Sequence, residues 1–308
     1  MAIDSGYYKT ELLRTNGRNQ GTLEQDYEIC RQIMHNASKN YSFSSLFLPE
    51  DRKAHVEALY AVLRVGDDRV DVTHAGFSSA LEAIEDWREN YWRTFEHGDS
   101  DDPVLRAYLD TADKFNIPAD ILKPYFRAMR DDLSITRFPT FDDLLYYMDG
   151  SAIPVGRAMA HILGTNTPQV SDAYPAADSL SIAMQLSNFW RDIGEDWQRG
   201  RVYLPLEDMD HLGYSEEQLA AGIVNENFVA LLDFEIARTR KYYAQAYEGI
   251  SLLASGRWGV LNAFHIYSAI LDYIEENKYN VFAQRASAPL WRKFWLVSKA
   301  GWQARKIP

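Results

Sequence analysis

The sequence predicts an all-α fold, and three observations carry that prediction. Apolar residues recur at spacings of three and four along most of the chain, which places them on one face of a helix, and no stretch alternates convincingly with the period of two that a half-buried strand requires. Helix breakers punctuate the pattern at Asn116-Ile117-Pro118, Phe138-Pro139-Thr140, Gly164-Thr165-Asn166 and between Gly200 and Pro205. With 46% hydrophobic and 13% aromatic residues, 308 residues suffice for a large core. No Pro-, Gly- or Ser-rich linker, low-complexity run or fixed repeat divides the chain, so residues 1–20 are expected to be a polar tail and residues 21–308 a single all-α domain.

In chain order, the first helix is expected from Thr22, where Thr22 and Gln25 can form a capping box, to about His35. The second begins after Leu48-Pro49-Glu50 and carries Val56, Leu59 and Leu63 toward the acidic segment Asp67 to Asp71. Further helices are expected over 78–97, 103–115, 119–133, 141–163, 175–197, 226–254, 258–278 and 289–303.

Composition narrows the function. A net charge of −12 argues against nucleic acid as a partner and means that an anionic substrate needs local cations. The single cysteine, Cys30, precludes an internal disulfide and a thiolate metal site, which fits a reducing, cytoplasmic setting. Residues 1–18 lack the apolar core of a secretory signal, and no run approaches the roughly 18 apolar residues of a membrane span. Basic and aromatic residues interleave near the end, in Trp291 to Trp295 and Lys299 to Lys306. That mixture fits a peripheral membrane contact or an ordinary amphipathic closing helix.

Two helical segments carry the chemistry. Asp67 and Asp71, and again Asp192 and Asp196, stand four residues apart, which stacks each pair of carboxylates on one helix face. Such pairs can hold Mg²⁺ between protein and phosphate, because Mg²⁺ takes oxygen ligands and usually only one or two carboxylates. The bare spacing is weak evidence, since 26 Asp in 308 residues produce about two matches by chance. Context strengthens it. Tyr60, Arg64, Asp67 and Asp71 form one stripe, although an intrahelical salt bridge from Arg64 is the plainer reading. On the later helix Ile182, Leu186, Phe189, Ile193 and Trp197 make an apolar face, and Gln185, Asn188, Asp192 and Asp196 a polar one. Gly194, costing about 1 kcal/mol relative to Ala in a helix, is read as a place where a ligand approaches the backbone. The seven His show no zinc-ligand spacing, and GxGxxG, GxxxxGK[ST] and GxSxG are missing. Tyr41, Phe43, Phe47, Tyr146, Tyr147 and Phe264 are candidates to line an apolar pocket, with core packing the commoner fate.

Tyr60 to Asp71, Gln185 to Asp196 and Arg199-Gly-Arg-Val-Tyr-Leu-Pro205 resemble the signatures of the squalene/phytoene synthase family, most closely its bacterial phytoene synthases. The likeness runs from about Asp26 to Ala288 and includes Ser38-Lys39 with Tyr41, Tyr147, Ile270 to Glu275 and Tyr279 to Phe282. It implies an all-α isoprenoid synthase bundle around a central cavity, in which two prenyl diphosphates are joined head to head. By the same resemblance, Asp67 and Asp71 would bind Mg²⁺ (or Mn²⁺) for one diphosphate, and Asp192 and Asp196 would do so on the opposite wall. Tyr60, Arg64, Ser38, Lys39, Arg191, Tyr267 and Arg285 would contact diphosphate or the cyclopropyl intermediate. Gln185 and Asn188 would lie near the reacting carbons or metals, and Tyr147 falls at a family tyrosine.

Departures from the family pattern are Gly66, where a larger aliphatic is usual, Asn40, where many relatives have a small hydroxyl, and the Gly150 to Gly156 run, which has some likeness to hydroxysqualene synthases. The expected reaction is condensation of two geranylgeranyl diphosphates to phytoene. The close alternative is farnesyl diphosphate, giving dehydrosqualene, presqualene diphosphate, hydroxysqualene or, with NADPH, squalene. Two rivals remain: head-to-tail elongation, because Asp67-Asp68-x-x-Asp71 also matches DDxxD, and a non-catalytic assembly factor, which tends to lose acidic ligands that are all present here.

Overall fold

The computed structural model describes residues 21–37, 43, 45–71, 76–283 and 290–307. The expected polar tail, residues 1–20, lies outside them, as do Ser38, Lys39, Tyr41 and Arg285. Among the described residues there are thirteen α-helices: α1 (Leu23–Ala37), α2 (Glu50–Asp71), α3 (Ala80–His97), α4 (Pro103–Phe115), α5 (Lys123–Asp131), α6 (Phe141–Ser151), α7 (Ile153–Leu163), α8 (Tyr174–Gln198), α9 (Leu206–His211), α10 (Glu216–Ala220), α11 (Glu226–Glu248), α12 (Arg257–Glu276) and α13 (Leu290–Ala304). Among the described residues extended pairing is confined to two isolated bridges, Arg137 with Val202 and Thr165 with Leu253.

Local chemistry explains the boundaries. The Thr22 N–H donates to Gln25 Oε1 at 2.9 Å, and the Gln25 N–H to Thr22 Oγ1 at 3.4 Å, closing the expected capping box. Asp102 caps α4 just before Pro103, and Thr140 and Asp143 form a capping box on α6. The expected 141–163 helix is two helices, because Pro154 supplies no N–H and its ring cannot follow a continuous turn; the chain breaks at Ala152 (φ −128°). The 119–133 helix opens with a 3₁₀ turn over Ala119–Leu122 before Pro124, and the 226–254 helix tightens into 3₁₀ over Gly249–Leu252. The short helices α9 and α10, too brief for periodicity to reveal, lie beyond the expected set.

Two long helices organise the packing: α2 contacts α1, α3, α4 and α7, whereas α8 contacts α7, α11 and α12. Trp87 and Trp190 are fully buried at these junctions. Their indole N–H groups donate to Val62 O at 3.1 Å and to Thr239 Oγ1 at 2.8 Å. Truncating either would cost about 3–5 kcal/mol. Arg106 locks α4 to α1 through two 2.8 Å bonds to the buried carboxylate of Asp26. The space left between α2 and α8, closed by α5, α6, α7, α11 and α12, is a cavity.

Candidate active site

The cavity holds about 500 Å³ and is chemically divided. One part of its lining is a cluster of Tyr60, Arg64, Asp67 and Asp71 from α2, Asp132 after α5, Tyr147 from α6 and Arg201 after α8, and Gln185 and Asn188 line it from α8. The rest is mainly apolar and notably small-sided, with Ala160, Ala176, Ala177, Gly249, Gly259 and Ala263 among Leu, Val and Met residues and three serines, Ser45, Ser151 and Ser181. Such a volume, with few polar groups clustered in its lining, suits an amphipathic ligand with a long apolar tail.

On α2, the four-residue spacing does bring Tyr60, Arg64, Asp67 and Asp71 to one wall. Arg64 Nη2 donates to Asp68 Oδ1 at 2.5 Å, one turn on, rather than to either cavity-lining aspartate. The Tyr125 hydroxyl lies 2.6 Å from Leu63 O and 3.2 Å from Asp67 Oδ1. Burial pushes the Asp67 carboxyl up to about 7. Arg64 opposes the rise and the neighbouring Asp71 adds to it. A divalent cation would favour the ionised form that burial disfavours.

The α8 wall is built differently. Gln185 and Asn188 line the cavity, but Arg191, Asp192 and Asp196 do not. Arg191 clamps its neighbour Asp192 through Nε to Oδ1 at 2.7 Å and Nη2 to Oδ2 at 2.5 Å. Asp196 faces an adjoining recess, which Arg201 also lines, so Arg201 touches both spaces. Burial and then Asp192 push Asp196 up to about 7. Gly194 admits no ligand: an added Cβ would lie 3.2 Å from Phe282 Cα and Val281 O, so the close approach is to the chain's own later segment. Tyr267 is buried in α12 away from the cavity lining.

Three contributors escaped the sequence reading. Asp132 is raised by burial and opposed by Arg201, whose Nη1 donates to Asp132 Oδ1 at 3.0 Å and to Tyr203 Oη at 3.0 Å. Arg201 stood inside the Arg199 to Pro205 motif without a role; Asp132 and Tyr125 carried no local signal. Of the aromatic candidates with described side chains, only Tyr147 lines the cavity. Tyr146 is 57% exposed, Phe264 packs on Tyr243, and Phe47 packs on Trp258.

Among the described residues, no three His, Cys, Asp or Glu groups converge to hold a metal unaided. The donor set fits Mg²⁺ nonetheless: the hard carboxylates of Asp67, Asp71 and Asp132 line the cavity, with Asp196 in the adjoining recess, and a diphosphate and water can complete the coordination.

The squalene/phytoene synthase family profile matches residues 34–292. A phytoene synthase from Arthrospira platensis is 36% identical over 94% of this chain and 97% of its own, and a 15-cis-phytoene synthase from Synechocystis sp. is 34% identical over 93% and 87%. Among solved structures, a dehydrosqualene synthase in complex with ligand superposes with a TM-score of 0.84 at 26% identity, covering 92% of this chain and 98% of that one. A squalene synthase from Alicyclobacillus acidocaldarius gives 0.75 at 27% identity, covering 84% and 96%.

Proposed function

The chain belongs to the squalene/phytoene synthase family, and on that premise we propose that it condenses two geranylgeranyl diphosphates head to head into phytoene, with Mg²⁺. It is a prenyltransferase of the phytoene/squalene synthase type. The observation that carries the choice of product is the full-length likeness to phytoene synthases; the divided cavity supports the chemistry.

Ionising an allylic diphosphate requires charge stabilisation at the leaving group and dryness at the carbocation. Asp67 and Asp71 would hold Mg²⁺ on the α2 wall, and Asp192 and Asp196 on the α8 side. There, when bound, the ion neutralises charge developing on diphosphate. Arg64 and Arg201, both lining the cavity, would bind diphosphate oxygens, with Arg191 beside the α8 pair and Tyr60 and Tyr147 as hydroxyl donors. The apolar remainder accommodates prenyl tails and excludes water from the cation. Loss of one diphosphate lets the second substrate's double bond attack, and loss of a proton from the resulting cation closes the ring of a cyclopropylcarbinyl diphosphate. A second ionisation and rearrangement then joins C1 to C1′, with a proton lost to form the alkene. Gln185 and Asn188 flank that space.

The structural likeness to a dehydrosqualene synthase favours farnesyl diphosphate as the second reading. Purified protein and Mg²⁺, given each diphosphate separately with and without NADPH, will decide by mass spectrometry of extracted lipid. A C40 hydrocarbon from geranylgeranyl diphosphate is expected; C30 products alone would transfer the assignment to the squalene-type branch, and NADPH matters only if squalene forms. Growth by five carbons on adding isopentenyl diphosphate would instead mean chain elongation.

Peripheral membrane contact through α13 is part of the same proposal. Trp295 and Trp302 are 57% and 59% exposed, with Lys299 and Lys306 over their rings, and residues 290–307 contain no Asp or Glu. Among the described residues no helix is long and apolar enough to cross a membrane. Phosphatidylglycerol vesicles should sediment the protein, and the Trp295→Ala/Trp302→Ala variant should remain in the supernatant.

A further inference from the structure

Gly66 sits between Arg64 and Asp67 on α2, and the reason for a glycine there lies 59 residues further along the chain. A Cβ built on Gly66 would lie 2.1 Å from the Tyr125 hydroxyl oxygen, 3.0 Å from Cζ and 3.1 Å from Cε1. The phenol of α5 therefore occupies the notch that a missing side chain leaves in α2. Its hydroxyl reaches Leu63 O at 2.6 Å and Asp67 Oδ1 at 3.2 Å, both on the turn that contains Gly66. Tyr125 is 2% exposed and lines the cavity from behind the aspartate.

We propose that Tyr125 is a positioning residue for Asp67: seated in the notch at Gly66, its hydroxyl holds Oδ1 and the helical turn beneath it, so that the carboxylate meets a divalent cation in one preset orientation. The inference rests on the proposed metal role of Asp67, and it adds a coupling between two helices that neither acidic motif contains. A lone hydroxyl hydrogen has two acceptors here, and the shorter contact goes to the backbone carbonyl. The turn is thus anchored whether or not a cation draws on the carboxylate. Without the anchor, Asp67 retains its charge and its place on the helix but samples other rotamers, and ordering it falls to the cation.

The pairing also predicts how two substitutions combine. Tyr125→Phe removes the hydroxyl and retains the ring. Gly66→Ala leaves the tyrosine intact but forces it out of the notch, so both should injure the same property. In the Tyr125→Phe background the nearest ring atoms stand at about 3.0 Å from the new Cβ and need to move only a few tenths of an ångström.

The test is divalent-cation binding, measured by electron paramagnetic resonance with Mn²⁺ and inorganic pyrophosphate, beside Mg²⁺-dependent condensation of prenyl diphosphate. For Tyr125→Phe, Mn²⁺ affinity is expected to fall about 10-fold, within the range seen when a ligand's hydrogen-bond partner is removed. The Mg²⁺ needed for half-maximal rate should rise in parallel, and turnover at saturating Mg²⁺ should recover to within a few fold. Gly66→Ala should show the same loss, and the double variant no more than Tyr125→Phe alone. Thermal melts establish that each variant is folded. Wild-type Mn²⁺ affinity in folded Tyr125→Phe would overturn the proposal, as would losses that multiply in the double variant. If wild-type protein binds Mn²⁺ more tightly than Tyr125→Phe yet condenses neither diphosphate, the reading of function fails and the positioning role stands. If wild-type protein binds no Mn²⁺, both fail.

Discussion

The two aspartate pairs share a spacing and differ in state. On α2, Asp67 and Asp71 line the cavity while the nearby Arg64 is bonded to Asp68. On α8, Arg191 covers Asp192 with two bonds, and Asp196 looks into a recess beside the cavity rather than into it. The difference comes from where each arginine stands. An arginine four residues before Asp68 reaches one turn along its own helix and leaves the cavity-facing stripe uncovered, whereas an arginine immediately before Asp192 folds back onto its neighbour. On the proposed metal roles, one wall would receive a cation as it stands, and the other would first have to exchange an internal ion pair for diphosphate and cation.

If that contrast governs catalysis, the largest effect belongs to Asp67. Asp67→Asn should lower kcat by at least about 10³-fold, since it removes a charged ligand where several kcal/mol of leaving-group stabilisation is required. It should not destabilise the fold. Asp67 is half-buried with its charged form disfavoured by desolvation, which a neutral isostere relieves, so a melting temperature unchanged or raised by about 2 °C is expected by calorimetry. A variant with wild-type turnover would remove the α2 wall from the mechanism.

Arg191→Ala sharpens the contrast with a smaller effect. If the pair has to open, deleting Arg191 exposes Asp192 and should lower the Mg²⁺ concentration for half-maximal rate, while kcat falls about 10²-fold because a cation that would move to the leaving diphosphate is gone. Arg64→Ala, whose partner Asp68 is outside the cavity lining, should lower kcat without improving Mg²⁺ use. Equal Mg²⁺ profiles for both variants would erase the distinction between the walls.

Much of this was readable from sequence, and the remainder was not for definite reasons. Periodicity and caps located the long helices, and a spacing of four placed the carboxylates of each pair on one face, because both follow from the geometry of a single helix. That the α2 stripe lines the cavity while Arg191, Asp192 and Tyr267 do not depends on how helices rotate against one another, which local pattern does not encode. Asp132 and Tyr125 are 65 and 58 residues from Asp67 and join it only through packing of α5 on α2. Gly194 shows the same limit from the other side. Its oddness was visible, but the neighbour it accommodates is Val281 and Phe282.

The smallest expected effect on turnover comes from the far end of the same helix, and it separates the site from its support. His55 is 5% exposed on α2, three turns before Asp67. Lys114 Nζ lies 3.0 Å from its Nε2, while Tyr27 Oη and Thr111 Oγ1 lie 2.9 and 3.0 Å from its Nδ1, and Tyr27 donates onward to Asp110 Oδ2 at 2.6 Å. A donor ammonium at Nε2 assigns the ring as neutral with its proton on Nδ1. Burial, and then Lys114, hold its pKa down at about 4, with Asp110 opposing. The folded state therefore favours neutral His55. Its contribution is complete above the unfolded pKa near 6.5 and is lost as pH falls from there toward 4, on the order of 1–2 kcal/mol after solvent screening. In His55→Gln that share of acid sensitivity should vanish, visible as a shallower decline of urea midpoint between pH 6.5 and 4 than in wild type. Its kcat at pH 7.5 should stay within about two-fold, because the substitution touches the junction of α1, α2 and α4 and no cavity-lining group. A large kcat loss with an unchanged acid slope would mean that support and site on α2 are not separable.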